Sequence, residues 1–342
     1  MSLVVKRPSE AHGPDTALIK RQKTDNELGT VLQPARTSSL PAPTMLLTGH
    51  GAAVNVNRFN GDGSVLASGS FDKQIFLWRI SDQCENFMAL KGHHGSVLEL
   101  SWASDYERIY SAGSDKVITI WDVKVGYQIK KLRNHKSYVN TCCASRENPN
   151  VFATGSDDCT VLFWDARAKD PQIELDLHLP VTSVALAKDD LTVFVGGVDS
   201  AVTGWDLRNA SRTYELQGVQ DMTTGLSLSP DGAHLLVNSM DNTLRCFDVR
   251  PYCPDNRLMK QFFGATHDFE KNLLRCAWNY DGSKVTAGSA DRIVHVWDVA
   301  SCRILYKLPG HKGSVNDVAF HPVEPIVASA SSDETIFVGE LN

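Results

Sequence analysis

The sequence predicts an all-β fold made of seven similar sheets. An Asp stands six residues before a Trp at five places, and before a Phe or a Gly at two more. Successive Trp-equivalent positions are separated by 43, 43, 41, 42, 50 and 42 residues. Between them lie alternating apolar segments divided by Asp-Gly and related turn signals. A period of about 40 to 45 residues with four short strands per unit is typical of a closed β-propeller, here with seven blades.

Each repeat predicts four strands in the same order. In the first repeat an alternating strand at 54–60 ends at a hairpin signal, and a second strand of small and β-branched residues follows at 65–70. The third strand, at 75–80, holds the Trp. The fourth is more polar and ends at Gly92-His93. We therefore expect the fourth strand of each blade to lie at the solvent-facing edge.

The two ends of the repeat array predict how the ring closes. The last repeat stops after its third strand, at 335–341, whereas residues 44–48 match the end of a fourth strand that has no blade before it. We expect 44–48 to supply the outer strand of the seventh blade. Residues 1–43 contain five prolines and few aromatics, which predicts a disordered N-terminal tail. The propeller domain is then 44–342.

Composition limits the classes of function. The net charge of -6 does not favour nucleic-acid binding by the chain as a whole. The eight cysteines form no CxxC pair, so neither a zinc site nor a disulfide scaffold is indicated. There is no phosphate-binding loop and no HExxH motif, so we expect no catalysis, cofactor or small-molecule substrate. The absence of a signal peptide and of a long apolar run predicts an intracellular protein without membrane contact.

A four-residue set recurs in the first three repeats. A Ser/His/Asp combination suggests a nucleophilic site, but its recurrence at His-to-Asp spacings of 22, 22 and 23 favours a structural role. We interpret each set as a hydrogen-bond network that satisfies buried polar groups within one blade. Later repeats lack some members, so we expect those blades to rely more on apolar packing. The sets are His50, Ser68, Asp72 and Trp78; His93, Ser111, Asp115 and Trp121; and His135, Thr154, Asp158 and Trp164.

Three arginines are candidate partner contacts. Arg167, Arg208 and Arg250 each lie two residues beyond the Asp that ends a third strand, so they should follow one arc of one face. Such an arc could bind an acidic protein segment or RNA phosphates. The alternative is a solvated edge without a binding role.

Two further regions are candidate contacts, one in a long loop and one around the channel mouth on the face opposite the arginines. The 50-residue step places extra length around 251–256, which we expect on one face, and around 264–271, which we expect on the other, and long loops on a rigid frame often bind partners. In the second loop the preferred contacts are Asp268, Phe269, Glu270 and Lys271, with a tolerated insertion as the alternative. Around the channel mouth, Phe71, Tyr138 and Met240 suit a protein contact, unless neighbouring loops cover them.

The repeated residues carry a family resemblance. The runs 114–122 and 155–165 resemble WD repeats, and this resemblance covers 44–342. Longer segments at 272–276, 288–292 and 303–311 resemble the WD-repeat subunits of the spliceosomal U5 small nuclear ribonucleoprotein. The resemblance implies a nuclear, non-catalytic scaffold in pre-mRNA splicing. Its implied neighbours are a very large core splicing protein, an elongation-factor-like GTPase and an RNA helicase, with direct RNA contact of minor importance.

Two short motifs bear on this interpretation. Trp164-Asp165-Ala166-Arg167 and Trp205-Asp206-Leu207-Arg208 also resemble the WDxR motif of substrate receptors of cullin–RING ubiquitin ligases, which is the alternative function. In the tail, the basic cluster at 20–23 could serve nuclear import.

Overall fold

The computed structural model describes residues 38–81, 83–252 and 257–341, so residues 1–37 of the expected tail at 1–43, including its basic cluster, lie outside these ranges. Within the described residues, 28 strands form seven four-stranded antiparallel sheets, so the fold is the predicted seven-bladed propeller. This part of the chain contains no helix that is both long and apolar enough to cross a membrane.

The strands follow the predicted template in every blade. The N-terminal strand is β1 (Thr44–Leu47). Blade 1 contains β2 (Val54–Phe59), β3 (Val65–Ser70), β4 (Gln74–Arg79) and β5 (Asn86–Lys91). Blade 2 contains β6 (Val97–Trp102), β7 (Arg108–Gly113), β8 (Ile118–Asp122) and β9 (Gln128–Leu132). Blade 3 contains β10 (Val139–Ala144), β11 (Val151–Ser156), β12 (Thr160–Asp165) and β13 (Ile173–Asp176).

The remaining blades have the same order. Blade 4 contains β14 (Val181–Leu186), β15 (Thr192–Gly197), β16 (Val202–Asp206) and β17 (Ser211–Leu216). Blade 5 contains β18 (Thr223–Leu228), β19 (His234–Ser239), β20 (Thr243–Asp248) and β21 (Leu258–Phe263). Blade 6 contains β22 (Cys276–Trp278), β23 (Lys284–Ala287), β24 (Ile293–Asp298) and β25 (Ile304–Pro309). Blade 7 contains β26 (Val315–Phe320), β27 (Ile326–Ser331) and β28 (Ile336–Glu340).

The N-terminal strand closes the ring, as the sequence predicts. Strand β1 pairs antiparallel with β28, with Met45 opposite Val338 and Leu47 opposite Ile336. The ordered contacts begin before the expected boundary at 44, because Leu40 is buried and the backbone N–H of Ser39 donates to a Glu324 carboxylate oxygen at 2.7 Å. The first and last elements therefore share one sheet, which leaves no open seam.

The apolar core lies between blades rather than inside each one. One cluster joins Leu66 and Trp78 of blade 1 to Ala328, Ile336 and Val338 of blade 7. A single sheet cannot bury both of its faces, so each blade depends on its neighbours for stability.

The antiparallel order places the turns at two ends of the ring. The turns between second and third strands, together with the connections between blades, form what we call the upper face. The turns between first and second strands, and between third and fourth strands, form the lower face.

Candidate functional site

The four-residue sets of the first three blades form continuous hydrogen-bond networks. In blade 1, the Nε2 of His50 lies 2.8 Å from Ser68 Oγ, which also accepts a hydrogen bond from Trp78 Nε1 at 2.9 Å. The other ring nitrogen of His50 lies 2.8 Å from Asp72 Oδ2. The same three distances are 2.6, 2.8 and 3.0 Å in blade 2, and 2.9, 2.8 and 2.9 Å in blade 3. We call each of these a blade network.

Burial and pKa values favour a structural role for these networks over a nucleophilic one. The hydroxyl-bearing residues Ser68, Ser111 and Thr154 are fully buried, and each hydroxyl oxygen is already within hydrogen-bond distance of a His and a Trp. Burial alone would raise the pKa of Asp115, but hydrogen bonds from His93 and from backbone amides hold that pKa at about 2. Desolvation lowers the pKa of His50. The result is an ionised Asp beneath a buried ring, with no hydroxyl that a substrate could reach.

Blades 5 to 7 keep polar networks around the turn Asp, although the sequence predicts that the later blades rely more on apolar packing. Blade 7 retains His311, whose ring nitrogens lie 2.8 Å from Ser329 Oγ and 3.1 Å from Asp333 Oδ2. The ring of Phe337, four residues after that Asp, packs edge-on against His311 at a centroid distance of 4.7 Å. The Gly at position 339 thus removes the Trp contact while the rest of the network remains.

In blades 4 to 6 a side chain of the third strand replaces a missing group. The substitute stands four residues after the turn Asp in each case. In blade 6 His295 Nε2 lies 2.8 Å from Asp291 Oδ2. In blade 5 the guanidinium of Arg245 lies 2.7 Å from Asp241. In blade 4 the hydroxyl of Thr203 accepts from the indole N–H of Trp205 at 2.9 Å. Because the replacement comes from the third strand and not from the position that the other repeats use, the sequence spacing does not reveal it.

The three candidate arginines lie on the lower face but differ in their contacts. The guanidinium of Arg167 lies 2.6 Å from Asp165 Oδ2, and that of Arg250 is paired with Asp248. Both side chains stay largely exposed, at 75% and 63%. Arg208 is exposed, and its backbone N–H donates to Asp206 at 2.9 Å. The lower face therefore presents an arc of accessible guanidinium groups, two of which are partly neutralised.

The apolar candidates lie on the upper face. In each blade, the amide just before the turn Asp donates to a carbonyl of the incoming connection, as Phe71 N–H does to Ala53 and Asp157 N–H does to Tyr138. This shared bond places Phe71, Tyr138 and Met240 on one ring around the upper channel mouth. Phe71 and Tyr138 are half exposed and Met240 is partly exposed.

The long connection between blades 5 and 6 also projects from the upper face. All of Asp268, Phe269, Glu270 and Lys271 are exposed, and Phe269 is 85% exposed. The other expected loop, at 251–256, is described only as far as Tyr252, which is fully exposed. The candidate contacts thus form two separate surfaces, with the apolar residues and the long connection on one face and the arginines on the other.

A charged cluster inside the channel was missed by the sequence analysis. The side chain of Arg275 is almost fully buried, and its Nε lies 3.0 Å from Glu99 Oε2 in blade 2. Its Nη2 donates to the Asn140 carbonyl of blade 3 at 2.6 Å. Its Nη1 donates to the carbonyls of Thr182 and Thr224, in blades 4 and 5, at 3.0 and 2.9 Å. One guanidinium therefore ties blade 6 to four blades across the channel.

The cluster continues to the remaining side of the ring. Arg58 lies 2.9 Å from Glu99 Oε1 and is also paired with Asp317, which is fully buried. Burial raises the pKa of Asp317 to about 6, although Arg58 acts in the opposite direction. We call Arg58, Glu99, Arg275 and Asp317 the channel cluster. The sequence offers one signal for it, because Arg275, Glu99 and Asp317 each stand 16 residues before the turn Asp of their own repeat.

Comparisons with known proteins agree with this architecture. The family described as "WD domain, G-beta repeat" matches residues 42–79, 84–122, 126–165, 211–248, 260–298 and 302–338. Together with seven four-stranded sheets and their recurring Asp and Trp positions, this match defines a WD-repeat propeller. The unmatched stretch falls on blade 4, where the structure nevertheless has a complete sheet.

Some individual proteins are similar to almost the whole chain and not only to its repeats. The U5 small nuclear ribonucleoprotein 40 kDa protein of Dictyostelium discoideum is 44% identical over 335 residues, covering 96% of this chain and 94% of that protein. Its human counterpart is 49% identical over 315 residues, covering 92% and 88%. The pre-mRNA-splicing factor cwf17 of Schizosaccharomyces pombe is 42% identical over 341 residues, covering 98% and 99%. The chain belongs to the family of the U5 small nuclear ribonucleoprotein 40 kDa protein.

Proposed function

We propose that this protein is a non-catalytic scaffold subunit of the spliceosomal U5 small nuclear ribonucleoprotein and acts in pre-mRNA splicing in the nucleus. The observation that carries the proposal is the identity of 42–49% to splicing proteins across nearly their whole length. A protein with WD repeats but without a splicing name is much less similar to this chain. The WD repeat-containing protein 26 homolog of Arabidopsis thaliana is 26% identical, and only 53% of its length is covered.

The geometry supports binding rather than turnover. The repeated hydroxyls are buried and already hydrogen bonded, while the exposed candidate contacts include aromatic, methionine and arginine side chains on two faces. Such side chains are enriched at the centres of protein interfaces. We propose that the upper face, through Phe71, Tyr138, Met240 and the connection 268–271, makes the main protein contact. The partners would be the core splicing protein, the GTPase or the helicase.

Purification of the tagged full-length chain from nuclear extract tests the function. We expect U5 RNA and the core splicing protein to co-purify, and a Phe71→Ser, Phe269→Ser variant to recover less of both. Those two side chains are exposed, so the variant should unfold at the same denaturant concentration as the parent protein. Recovery of a cullin adaptor without U5 RNA would instead support the ubiquitin-ligase alternative suggested by the WDxR motifs.

A second variant tests the lower face. Substitution of Arg167, Arg208 and Arg250 by Glu should lower recovery of the particle by about tenfold, because three exposed positive charges become negative. The matched control reverses three exposed cations on or beside outer strands, namely Lys91, Arg303 and Lys307. If the folded lower-face variant recovers the particle as well as this control does, the arginine arc has no part in assembly.

A further inference from the structure

The lower face holds a cavity of about 440 Å³ between blades 5 and 6. It lies beside the lower mouth of the channel, and Pro230, Trp278 and Tyr280 line both spaces. A volume of this size is within the range of ligand-binding pockets in proteins. Neither the blade networks nor the channel cluster contributes to its walls.

The walls of this cavity are largely aromatic and apolar. Tyr280 and Met259 are each half exposed, so their side chains are accessible from solvent. The indole of Trp278 is held in place, because its Nε1 donates to the Ser227 carbonyl at 3.0 Å. The ring of His234 lies 6.4 Å from that indole, centroid to centroid. These side chains offer flat surfaces for stacking.

Two carboxylates line the same cavity from neighbouring turns. Asp231 and Asp281 occupy equivalent positions in the lower turns of blades 5 and 6, and one oxygen of each caps its own turn. Partial burial would raise the pKa of each, but hydrogen bonds from Ser229 and Ser283 lower both pKa values, so both groups are negatively charged at neutral pH. Like charges lining one cavity repel each other and favour a cation between them.

The lysine that lines the cavity has its ammonium group bonded elsewhere. The Nζ of Lys260 donates to the Val299 carbonyl at 2.6 Å and to the Ala300 carbonyl at 3.4 Å. On the other side, His234 Nδ1 lies 3.6 Å from Asp231 Oδ2, beyond hydrogen-bond distance. The outer oxygens of the two carboxylates are therefore available to an incoming donor.

The lower turns meet differently at other boundaries between blades. The ring of Tyr106 packs against Gly61 between blades 1 and 2, and Arg108 donates to Asn150 at 2.8 Å between blades 2 and 3. Between blades 7 and 1, His321 Nε2 lies 3.1 Å from the Gly63 carbonyl. Direct contacts close these boundaries. Between blades 5 and 6, two like-charged turns enclose an open space instead.

We propose that this cavity, which we call the acidic pocket (Asp231, Met259, Trp278, Tyr280 and Asp281), binds an arginine side chain of a partner protein. A planar guanidinium stacks on aromatic rings and donates to two carboxylates at once, which matches both features of the pocket. The assignment does not depend on the splicing role, because it concerns the chemistry of one pocket on the isolated chain.

Methionine methyl resonances of the full-length protein provide the test. The chain has only six methionines, so a ¹³C-methyl-methionine spectrum is simple, and Met259 lines the pocket. Titration with acetyl-Gly-Arg-Gly-amide should shift the Met259 methyl signal in a saturable manner. The signal of Met88, which packs beside Gly126 in another part of the ring, should not move.

Matched variants separate the pocket from general surface charge. In Asp231→Asn, Asp281→Asn the side-chain oxygen that caps each turn remains, so the fold is kept while both charges are lost, and binding should weaken at least tenfold. Asp62→Asn makes the same change at the equivalent turn of blade 1 and should bind like the parent protein. The proposal is overturned if the Met259 signal does not move, if the uncharged peptide acetyl-Gly-Gln-Gly-amide shifts it equally, or if the double variant still binds. Equal binding of a lysine peptide would refute the preference for arginine.

Discussion

The blade networks and the channel cluster stabilise the same ring in different ways. Each blade network lies within one blade and its incoming loop, as His93, Ser111, Asp115 and Trp121 do in blade 2. The channel cluster instead joins blades, since Arg275 alone contacts Glu99 of blade 2 and carbonyls of blades 3, 4 and 5. The networks fix the local shape of each sheet, and the channel cluster fixes how the sheets are arranged around the axis.

The two regions also differ in how they tolerate change. A blade network has substitutes, because Arg245 and His295 reach the turn Asp from the third strand where the loop His is absent. The guanidinium of Arg275 meets Glu99 and three backbone carbonyls at once, and Glu99 is almost fully buried. Removal of one partner from a buried ion pair leaves an uncompensated charge, which is more costly than the loss of a neutral hydrogen bond.

The largest effect should follow from Arg275→Met. This change keeps a long apolar side chain but leaves Arg58 as the only cation paired with Glu99 among the described residues, and we expect a loss of about 3–5 kcal/mol in the free energy of unfolding. Urea unfolding measures it. The matched control is Arg245→Met in blade 5, which also breaks an ion pair, but its Asp241 side chain is about one-tenth exposed and keeps hydrogen bonds from Ser239 and Thr243, so the loss should be smaller, about 1–3 kcal/mol. Equal losses would show that the channel cluster is no more important than a single blade network.

A smaller effect should follow from His93→Ala. The partly buried Asp115 and the fully buried Ser111 each lose a partner, so the free energy of unfolding should fall by about 1–3 kcal/mol. The control is His178→Ala, because the side chain of His178 is 88% exposed and lies 3.7 Å from Asp176. That change should stay within about 0.5 kcal/mol of the parent protein. Equal unfolding midpoints for the two variants would contradict a structural role for the network.

Repetition decides which of these features the sequence can predict. The networks of blades 1 to 3 were predicted because the same residue types recur at nearly constant spacing, and ring closure was predicted because the last repeat lacks one strand. Arg275 occurs once, and its partners lie between 51 and 176 residues away, so no local pattern points to it. The substitutes in blades 5 and 6 were missed because Arg245 and His295 sit on strands, where each is one more side chain in an alternating pattern.

The acidic pocket shows a different limit. Asp231 and Asp281 each stand in an Asp-Gly turn, and this pattern predicts only a turn-forming role for them. Each does cap its own turn, yet only the packing of blade 5 against blade 6 places both carboxylates on one cavity beside Trp278 and Tyr280. A second role that arises from the boundary between two repeats is not visible within either repeat.

The sharpest contrast between the two regions concerns pH. In the folded state the pKa of Asp115, Asp241 and Asp333 is about 2, below the ordinary value of 3.8, so their contribution to stability is lost as the pH falls from about 4 to about 2. The contribution of Asp317 to stability changes with pH in the opposite direction. Its folded pKa of about 6 means that the folded state takes up a proton before the unfolded state does, and this group adds stability as the pH falls from about 6 to about 4.

Asp317→Asn removes that compensating contribution. The free energy of unfolding of the variant should therefore fall more steeply than that of the parent protein between pH 6 and pH 4, by up to about 1.4 kcal/mol per pH unit, the limit for one proton. Urea unfolding at half-unit pH steps gives both curves. Asp115→Asn is the control, because its effect should be constant over this range and shrink only below about pH 4. Parallel curves for Asp317→Asn and the parent protein would mean that Asp317 stays ionised in the channel, held so by Arg58, and that the channel cluster responds to acid as the blade networks do.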